Sequence, residues 1–443
     1  MTPPLGSKIV GNWDSPPATN VHDELHTRAL VLDDGRTRLA IVVSDNVGIS
    51  RDVFDEAKRG IHQKTDMPRE NILLSSTHTH SASSARSDNI SGGPLSEYQR
   101  FVASRISDAV LIAIHNLEPA RIGWGVAREA TQVFNRRWKM KPGEELRNPF
   151  GGMDKVRMNP PRGHPNLLEP AGPTDPEIHF ISVQSTGGRP IALLANYSLH
   201  YVGGVPKGDI SSDYFGVFAK RIGELLEADD HEPPFVGIMS NGTSGNINNI
   251  DFRAGASERK WQPYEKMKFV ANLVAGEVFK SYKKVQHHDW VELAAAQVEI
   301  PMGLRVPDKQ DIEWAESVLA RPEGSASTHI REATYAQRTL EMKDYPAQIP
   351  LILQALRIGD LGIAAIPAEV FVEIGLEIRK RSPFQQTFTI SLANGAYGYL
   401  PTVEQHKLGG YETWRGSNRL EIEAAPKIVQ ALINLLDGLK KGK

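Results

Sequence analysis

Two patterns alternate along this chain, and together they limit what it can fold into. Short, nearly continuous apolar runs fall at 39–47, 72–75, 178–183, 191–197, 235–239 and 363–366. Between several of them, at 54–62, 98–115, 214–226 and 370–379, apolar residues recur every three or four positions. The first pattern reads as buried strands and the second as amphipathic helices. Strands alternating with helices predict an α/β protein with a largely parallel central sheet. The stretch 290–302 alternates as an antiparallel or edge strand does, so the sheet is expected to be mixed. Residues 421–439 read as a closing amphipathic helix with a basic tail. No shift in composition marks a boundary and no internal repeat is visible. The expectation is a single large domain over 1–443, with helices flanking the sheet. Residues 141–176, rich in Gly, Pro and Asn, read as an irregular flap over a site.

Composition removes several classes of function. The 443 residues are 40% hydrophobic and 23% charged, with a formal net charge of −2, which suits a globular chain with a sizeable core. Near-neutrality gives no argument for nucleic acid or an anionic membrane as partner. The absence of cysteine excludes disulfides, thiolate metal sites and cysteine nucleophiles. The first residues lack the apolar run of a signal peptide, and no stretch approaches the ~18 apolar residues of a membrane span. A soluble protein is expected, cytoplasmic as the sequence stands, or secreted or periplasmic if an export signal has been removed.

The apolar runs share a second property: each passes at once into small and polar residues. The segments are SSTHTHS (75–81), ANYSLHYVGG (195–204), MSNGTSGNINN (239–249), IPAEVF (366–371) and ANGAYGYLPT (393–402). Ligands in α/β sheets bind at such strand ends. In an extended chain residues i and i+2 face the same side, so His78 and His80 would address one cavity. With His200 from another loop and Glu369 after a strand, they make an oxygen and nitrogen ligand set that suits zinc. Each residue also has a plainer reading. His200 resembles a hydrogen-bonded core histidine, Glu369 a carboxylate in the first turn of a helix, and Tyr399 a core tyrosine.

Taken in order, these segments resemble the catalytic domain of the neutral/alkaline, non-lysosomal ceramidase family. The resemblance runs from about residue 10 to about residue 420. It includes VHDELHTRALVLDDGRTRLAIVVSDNVG (21–48), THTHS, SSDYFG (211–216), IPAE, and the twelve-residue spacing of Tyr399 and Tyr411 in YLPTVEQHKLGGYE. It implies zinc held by His78, His200, Glu369 and Tyr399, with His80 as acid/base partner. It also implies Arg136 as a substrate-binding group and Tyr411 near the reacting carbonyl. Arg137 stands beside Arg136, and the sequence does not choose between them. Asn246 and Asn248 lie in the segment that resembles a serine-containing loop, with Asn248 at the serine's place. Hydrolysis is therefore expected without an acyl-enzyme, and both asparagines are candidate substrate contacts. The loop Ser81–Ala85 replaces a glycine-rich turn, and the sequence as given is expected to lack the separate C-terminal β-rich domain of many family members.

The implied function is a zinc-dependent amidohydrolase that cleaves an N-acyl bond with zinc-bound hydroxide, the family's place being sphingolipid metabolism. His80 would take the proton and return it to the leaving amine, with Tyr411 and Arg136 stabilising the oxyanion. The loops nearest the histidines are polar, so the partner is a small molecule that is either a lipid amide or a polar acylated or amidated sugar or ester. A non-catalytic binding protein on the same fold is the remaining alternative.

Overall fold

The computed structural model describes residues 1–442 apart from 88, 89, 229, 256–258 and 323. Its longer strands lie in three small mixed sheets, and the three are built alike. In the first, β1 (Thr27–Asp33) and β2 (Arg38–Ser44) are antiparallel, and β3 (Ile72–Ser76) runs parallel to β2. Helix α1 (Arg51–Thr65) crosses from β2 to β3, and α2 (Glu97–His115) follows. In the second, β4 (Ala120–Arg128), β5 (Glu177–Ser185) and β6 (Pro190–Tyr197) are antiparallel neighbours, and β7 (Val236–Asn241) is parallel to β6. Here α3 (Asp213–Leu225) makes the crossover and α4 (Glu265–Tyr282) follows.

The third sheet repeats the plan. β8 (Leu293–Gly303) and β9 (Gln348–Ile358) are antiparallel, with α5 (Lys309–Leu319) and α6 (Glu332–Glu341) between them in the chain. β10 (Leu361–Ile366) pairs antiparallel with β9 and parallel with β11 (Gln386–Ser391). The crossover helix is α7 (Val372–Arg381); the short α8 (Val403–Leu408) and the closing α9 (Ala424–Lys441) come after β11.

Side-chain alternation explains the arrangement. On the first sheet Leu30, Leu39, Ile41, Val43 and Leu73 point into a core shared with Ile181, Leu194 and Ile238 of the second and Leu356, Ile363 and Ile390 of the third. The intervening residues Ala40, Val42, Ile72 and Leu74 pack on α1 and α2. Phe180, Leu193 and Ala195 likewise meet α3 and α4, and Leu353, Ala355 and Ala364 meet α7 and α9. Strands covered on both faces carry apolar residues at every position.

That double burial is why the expected single, largely parallel sheet is not found. Continuous apolar runs report two covered faces, and three mixed sheets around one core meet the requirement as well as one parallel sheet does. The plan, an antiparallel pair followed by a helix crossover to a parallel strand and a second helix, recurs in all three although the sequence shows no repeat. It is a repetition of topology with no repeated sequence motif. The helix predictions at 98–115 and 421–439 match α2 and α9 to within a few residues. Ser96 starts α2 through a capping box, its Oγ accepting from Gln99 N at 3.2 Å while Gln99 Oε1 accepts from Ser96 N at 2.7 Å. The segment 141–176 contributes Val156–Met158 and Leu167–Pro170 to a small antiparallel sheet with Arg137–Met140. Among the described residues no helix is long and apolar enough to cross a membrane.

If the shared core holds the three sheets together, truncation should cost alike in each. Ile41→Ala, Leu194→Ala and Leu356→Ala, all at fully buried positions, should each destabilise the fold by about 2–5 kcal/mol. Urea unfolding followed by circular dichroism measures this; a loss below about 1 kcal/mol at any one position would remove that sheet from the common core.

Candidate metal centre

The three parallel strand pairs end at the same place. His78 lies two residues past β3, His200 three past β6 and Glu369 three past β10. Their side chains converge in a buried pocket where His78 is 2% exposed, His80 9%, His200 1% and Glu369 7%. His78 Nε2 is 3.1 Å from His200 Nε2, 3.1 Å from His80 Nε2 and 3.3 Å from Glu369 Oε2. Glu369 Oε2 is 4.0 Å from His200 Nε2.

The route by which His78 reaches this point differs from the one expected. Its backbone is not extended: φ is +75°, in the left-handed region that residues with a Cβ seldom adopt. Its N–H donates to Asn46 O at 2.9 Å, anchoring the turn to the loop after β2. The two histidines of THTH do share a cavity, but a strained turn aims them there and not strand alternation.

Hydrogen bonds then settle the ring tautomers. His78 Nδ1 is 2.6 Å from Val47 O, and His200 Nδ1 is 3.1 Å from Ser244 O. A carbonyl only accepts, so both Nδ1 atoms carry the proton and both Nε2 atoms present lone pairs to the centre. Burial pushes His200 and His80 well below the usual histidine range, with the His78 ring adding to the effect. Lone pairs facing one another at 3.1 Å repel unless a cation lies between them. Ligands about 2.0–2.1 Å from a tetrahedral metal stand about 3.3 Å apart, close to these spacings. Glu369 Oε2, buried without a hydrogen-bond donor, completes the case: the group His78–His80–His200, with Glu369 beside it, could hold a metal ion.

His80 is held differently. Its ring stacks on Tyr201 with centroids 3.8 Å apart, and its Nδ1 is buried with no partner. Gly11, at φ +114°, crosses directly over it; a Cβ at that position would lie 2.7 Å from His80 Cγ. Among the described residues no carbonyl fixes this imidazole in one tautomer.

Tyr399 is placed by a two-residue parallel pairing in which Glu369 is its direct partner. Burial, with Glu369 adjacent, pushes its phenol well above 10. Tyr411 lies edge-on to Tyr399 at 5.6 Å and to Trp13 at 5.4 Å. The neighbouring arginines are now distinguished. Arg136 sets its guanidinium 5.3 Å from the Tyr399 ring and donates to Glu412 Oε1 and Gly245 O. Arg137, fully buried, is taken up by Glu412 Oε2, Gln405 and Gly409 O, with Phe371 below it.

The two asparagines are occupied elsewhere. Asn246 accepts from Val372 N at the start of α7 and donates to Glu373, each at 2.9 Å. Asn248 donates to Asn159 and accepts from Ile250 N. Beside them, Gly245 allows the loop to cross Glu369: a Cβ there would lie 2.6 Å from Glu369 O. The contributions of Val47 and Ser244 come from backbone carbonyls and leave no side-chain signature. Arg86, Tyr201, Glu412 and Trp13 were also not singled out; Arg86, six residues after His80 in the altered loop, was the most discoverable.

With this geometry the likeness to known proteins has a physical meaning. The fold is shared with solved neutral ceramidase structures, the family that the sequence resembles. A neutral ceramidase from Pseudomonas aeruginosa superposes with a TM-score of 0.71 over 99% of this chain and 73% of its own, at 16% identity. A ceramidase complexed with C2 gives a TM-score of 0.71 over 99% and 74% of the two chains, also at 16%. No protein-family model matches the sequence.

Glu412, itself 0% exposed, compensates two buried guanidiniums. Glu412→Ala should therefore destabilise the protein by about 3–5 kcal/mol, because two charges remain buried without their counter-ion. A loss under 1 kcal/mol in denaturant titration would show that the pair is not what fixes Arg136 against Tyr399.

Proposed function

We propose that this protein is a metal-dependent hydrolase that cleaves an N-acyl amide bond, with zinc as the metal. The observation that carries the reading is the convergence of imidazole lone pairs and the Glu369 carboxylate at ligand-like spacings, on a fold shared with ceramidases. His78, His200, Glu369 and Tyr399 would hold the ion. When bound, such a metal supplies a Lewis acid for the scissile carbonyl and an acidified water at neutral pH.

The chain's own groups do the rest. His80 is kept neutral by burial and is free of a carbonyl clamp, the state a general base needs. It takes a proton from the attacking water and delivers it to the departing nitrogen. Tyr411 and Arg136 both lie against the Tyr399 ring, where they can meet the negative charge that develops on the carbonyl oxygen. Tyr201 and the Gly11 backbone cover His80 and limit water to the reacting face. Asn246 positions the start of α7 behind Glu369.

Metal analysis of purified variants tests the assignment. His78→Ala and His200→Ala should lose zinc, whereas His80→Ala should retain it and lose kcat by roughly 10²–10⁴. Equal zinc loss in all three would make His80 a third ligand; full zinc in His200→Ala would refute the site.

A second reading concerns the substrate. The loop 81–87, SASSARS, is polar where long alkyl chains would need apolar walls, each buried methylene contributing about 0.8 kcal/mol. We infer that small polar amides are preferred over long-chain ceramide. A kcat/KM comparison of long-chain ceramide with short-chain ceramide, small polar amides and acylated amino sugars checks this, and a clear preference for long-chain ceramide would overturn it.

A further inference from the structure

One short stretch of chain closes the metal centre on its outer side. Residues 11–15 are all exposed, yet they lie across His80 and Tyr411, the two side chains between which a scissile carbonyl would sit. Gly11 crosses the His80 ring, where a Cβ would fall 2.9 Å from Nδ1. Trp13 packs edge-on against Tyr411 with centroids 5.4 Å apart. Beneath this cover His78, His200 and Glu369 are 2%, 1% and 7% exposed, and His80 9%. In this arrangement an amide has almost no surface of the centre to meet.

The stretch is fixed at its two ends and loose in its middle. Ile9 and Val10 pair with Ser83 and Ala82, in the loop that follows His80. Ile9 N donates to Pro16 O at 2.9 Å and Ala18 N to Ser7 O at 2.8 Å, which closes the base of a hairpin. Between these anchors, among the described residues, 11–15 make no backbone–backbone hydrogen bond. Side chains alone hold the tip. Trp13, 46% exposed, has the Arg331 guanidinium 3.8 Å from its ring and that of Arg338 at 5.8 Å. Exposed Asp14 pairs with exposed Lys207, in the loop after His200. Cation–π contacts and ion pairs at such exposure are weak fastenings. A segment without backbone hydrogen bonds opens at low free energy. Gly11 is what lets the chain lie so close: its φ is +114° and it has no Cβ to strike the imidazole.

We propose that residues 11–15 are a lid over the metal centre, latched by Trp13 and Asp14, which swings off His80 to admit substrate. A lid of this kind lets the substrate in and then keeps water out while the bond is cut. Which bond is cut rests on the hydrolase reading; the opening does not.

Diethylpyrocarbonate, which acylates neutral imidazole, is the probe for opening. It is applied to the full chain, zinc-free and zinc-loaded, and read at His80 by peptide mass spectrometry. Gly11→Ala, whose Cβ cannot lie on His80, and Trp13→Ala, which removes the latch, should each be modified at His80 about tenfold faster than wild type. His179, 3% exposed in the second sheet, is the control and should keep its wild-type rate. The chain has no cysteine, so Asp14→Cys combined with Lys207→Cys can be joined by a short bis-thiosulfonate reagent. The joined protein should be modified at His80 more slowly than wild type, release zinc to a chelator more slowly, and regain both rates on reduction. If His179 also reacts faster in an alanine variant, the joined protein decides alone. Equal His80 rates before and after joining, or equal rates in wild type and both folded alanine variants, would overturn the lid, while amide cleavage would leave the hydrolase reading standing. If labelling and zinc release follow the state of the lid but no amide is cleaved, the lid stands and the hydrolase reading fails.

Discussion

The inner strands of the three sheets have no solvent side over most of their length, while the edge strand β8 is largely half-exposed. One face of each sheet must be covered by its own helices, and the other has nowhere to go except against the other two sheets. Leu39, Ile41 and Leu73, Leu194 and Ile238, Leu356 and Ile363 meet in that common core. Once the sheets are fixed there, the carboxyl ends of the three parallel pairs open toward a single region. The loops after β2, β3, β6, β7 and β10 then bring Val47, His78, His200, Ser244 and Glu369 together without any of them being neighbours in sequence. The site is a consequence of the packing constraint.

Much of this was legible in the chain, for reasons that can be located. The runs at 72–75 and 191–197 and the helical spacing at 98–115 are strong local signals, and each became the element it indicated. The number of sheets was not legible, because a strand buried on both faces has the same composition whatever covers it. His78 and His80 were paired correctly on an argument about extended backbone that does not describe His78, whose φ is +75°. Sequence could not separate Arg136 from Arg137 because both are buried arginines sharing Glu412; only the direction of each guanidinium divides them. The carbonyls of Val47 and Ser244, which fix the histidine tautomers, are invisible to any reading of side chains. The polar ends of the apolar runs and the spacing of Tyr399 from Tyr411 carried most of the rest.

Polar groups are distributed unevenly between holding the fold and facing the site. Glu412, Gln405 and the carbonyl of Gly409 absorb Arg137 completely, and Asn246 is tied to α7. Around His80, by contrast, one ring nitrogen lacks a partner; Glu369 Oε2 and Arg86 Nε are likewise unsatisfied. Buried polar atoms are normally paired, so a local concentration of unpaired ones beside fully satisfied networks marks where the protein is built to meet something other than itself.

The repeated sheet plan has a consequence for how that meeting and folding are linked. His78 belongs to the first unit, His200 to the second and Glu369 to the third, so no single unit contains the whole candidate ligand set. A partly unfolded chain offers at most the His78–His80 pair of the first unit or single groups of the others, incomplete sets that bind metals more weakly. On the proposed function, a high-affinity state would appear only when all three units have docked. Under mass action an ion that recognises only that state stabilises it by about 2.7 kcal/mol at a hundredfold excess over its dissociation constant. Metal occupancy would then act as a thermodynamic clasp on the assembled trio, and its loss would loosen the docking of whole units before it disturbed the sheets within them.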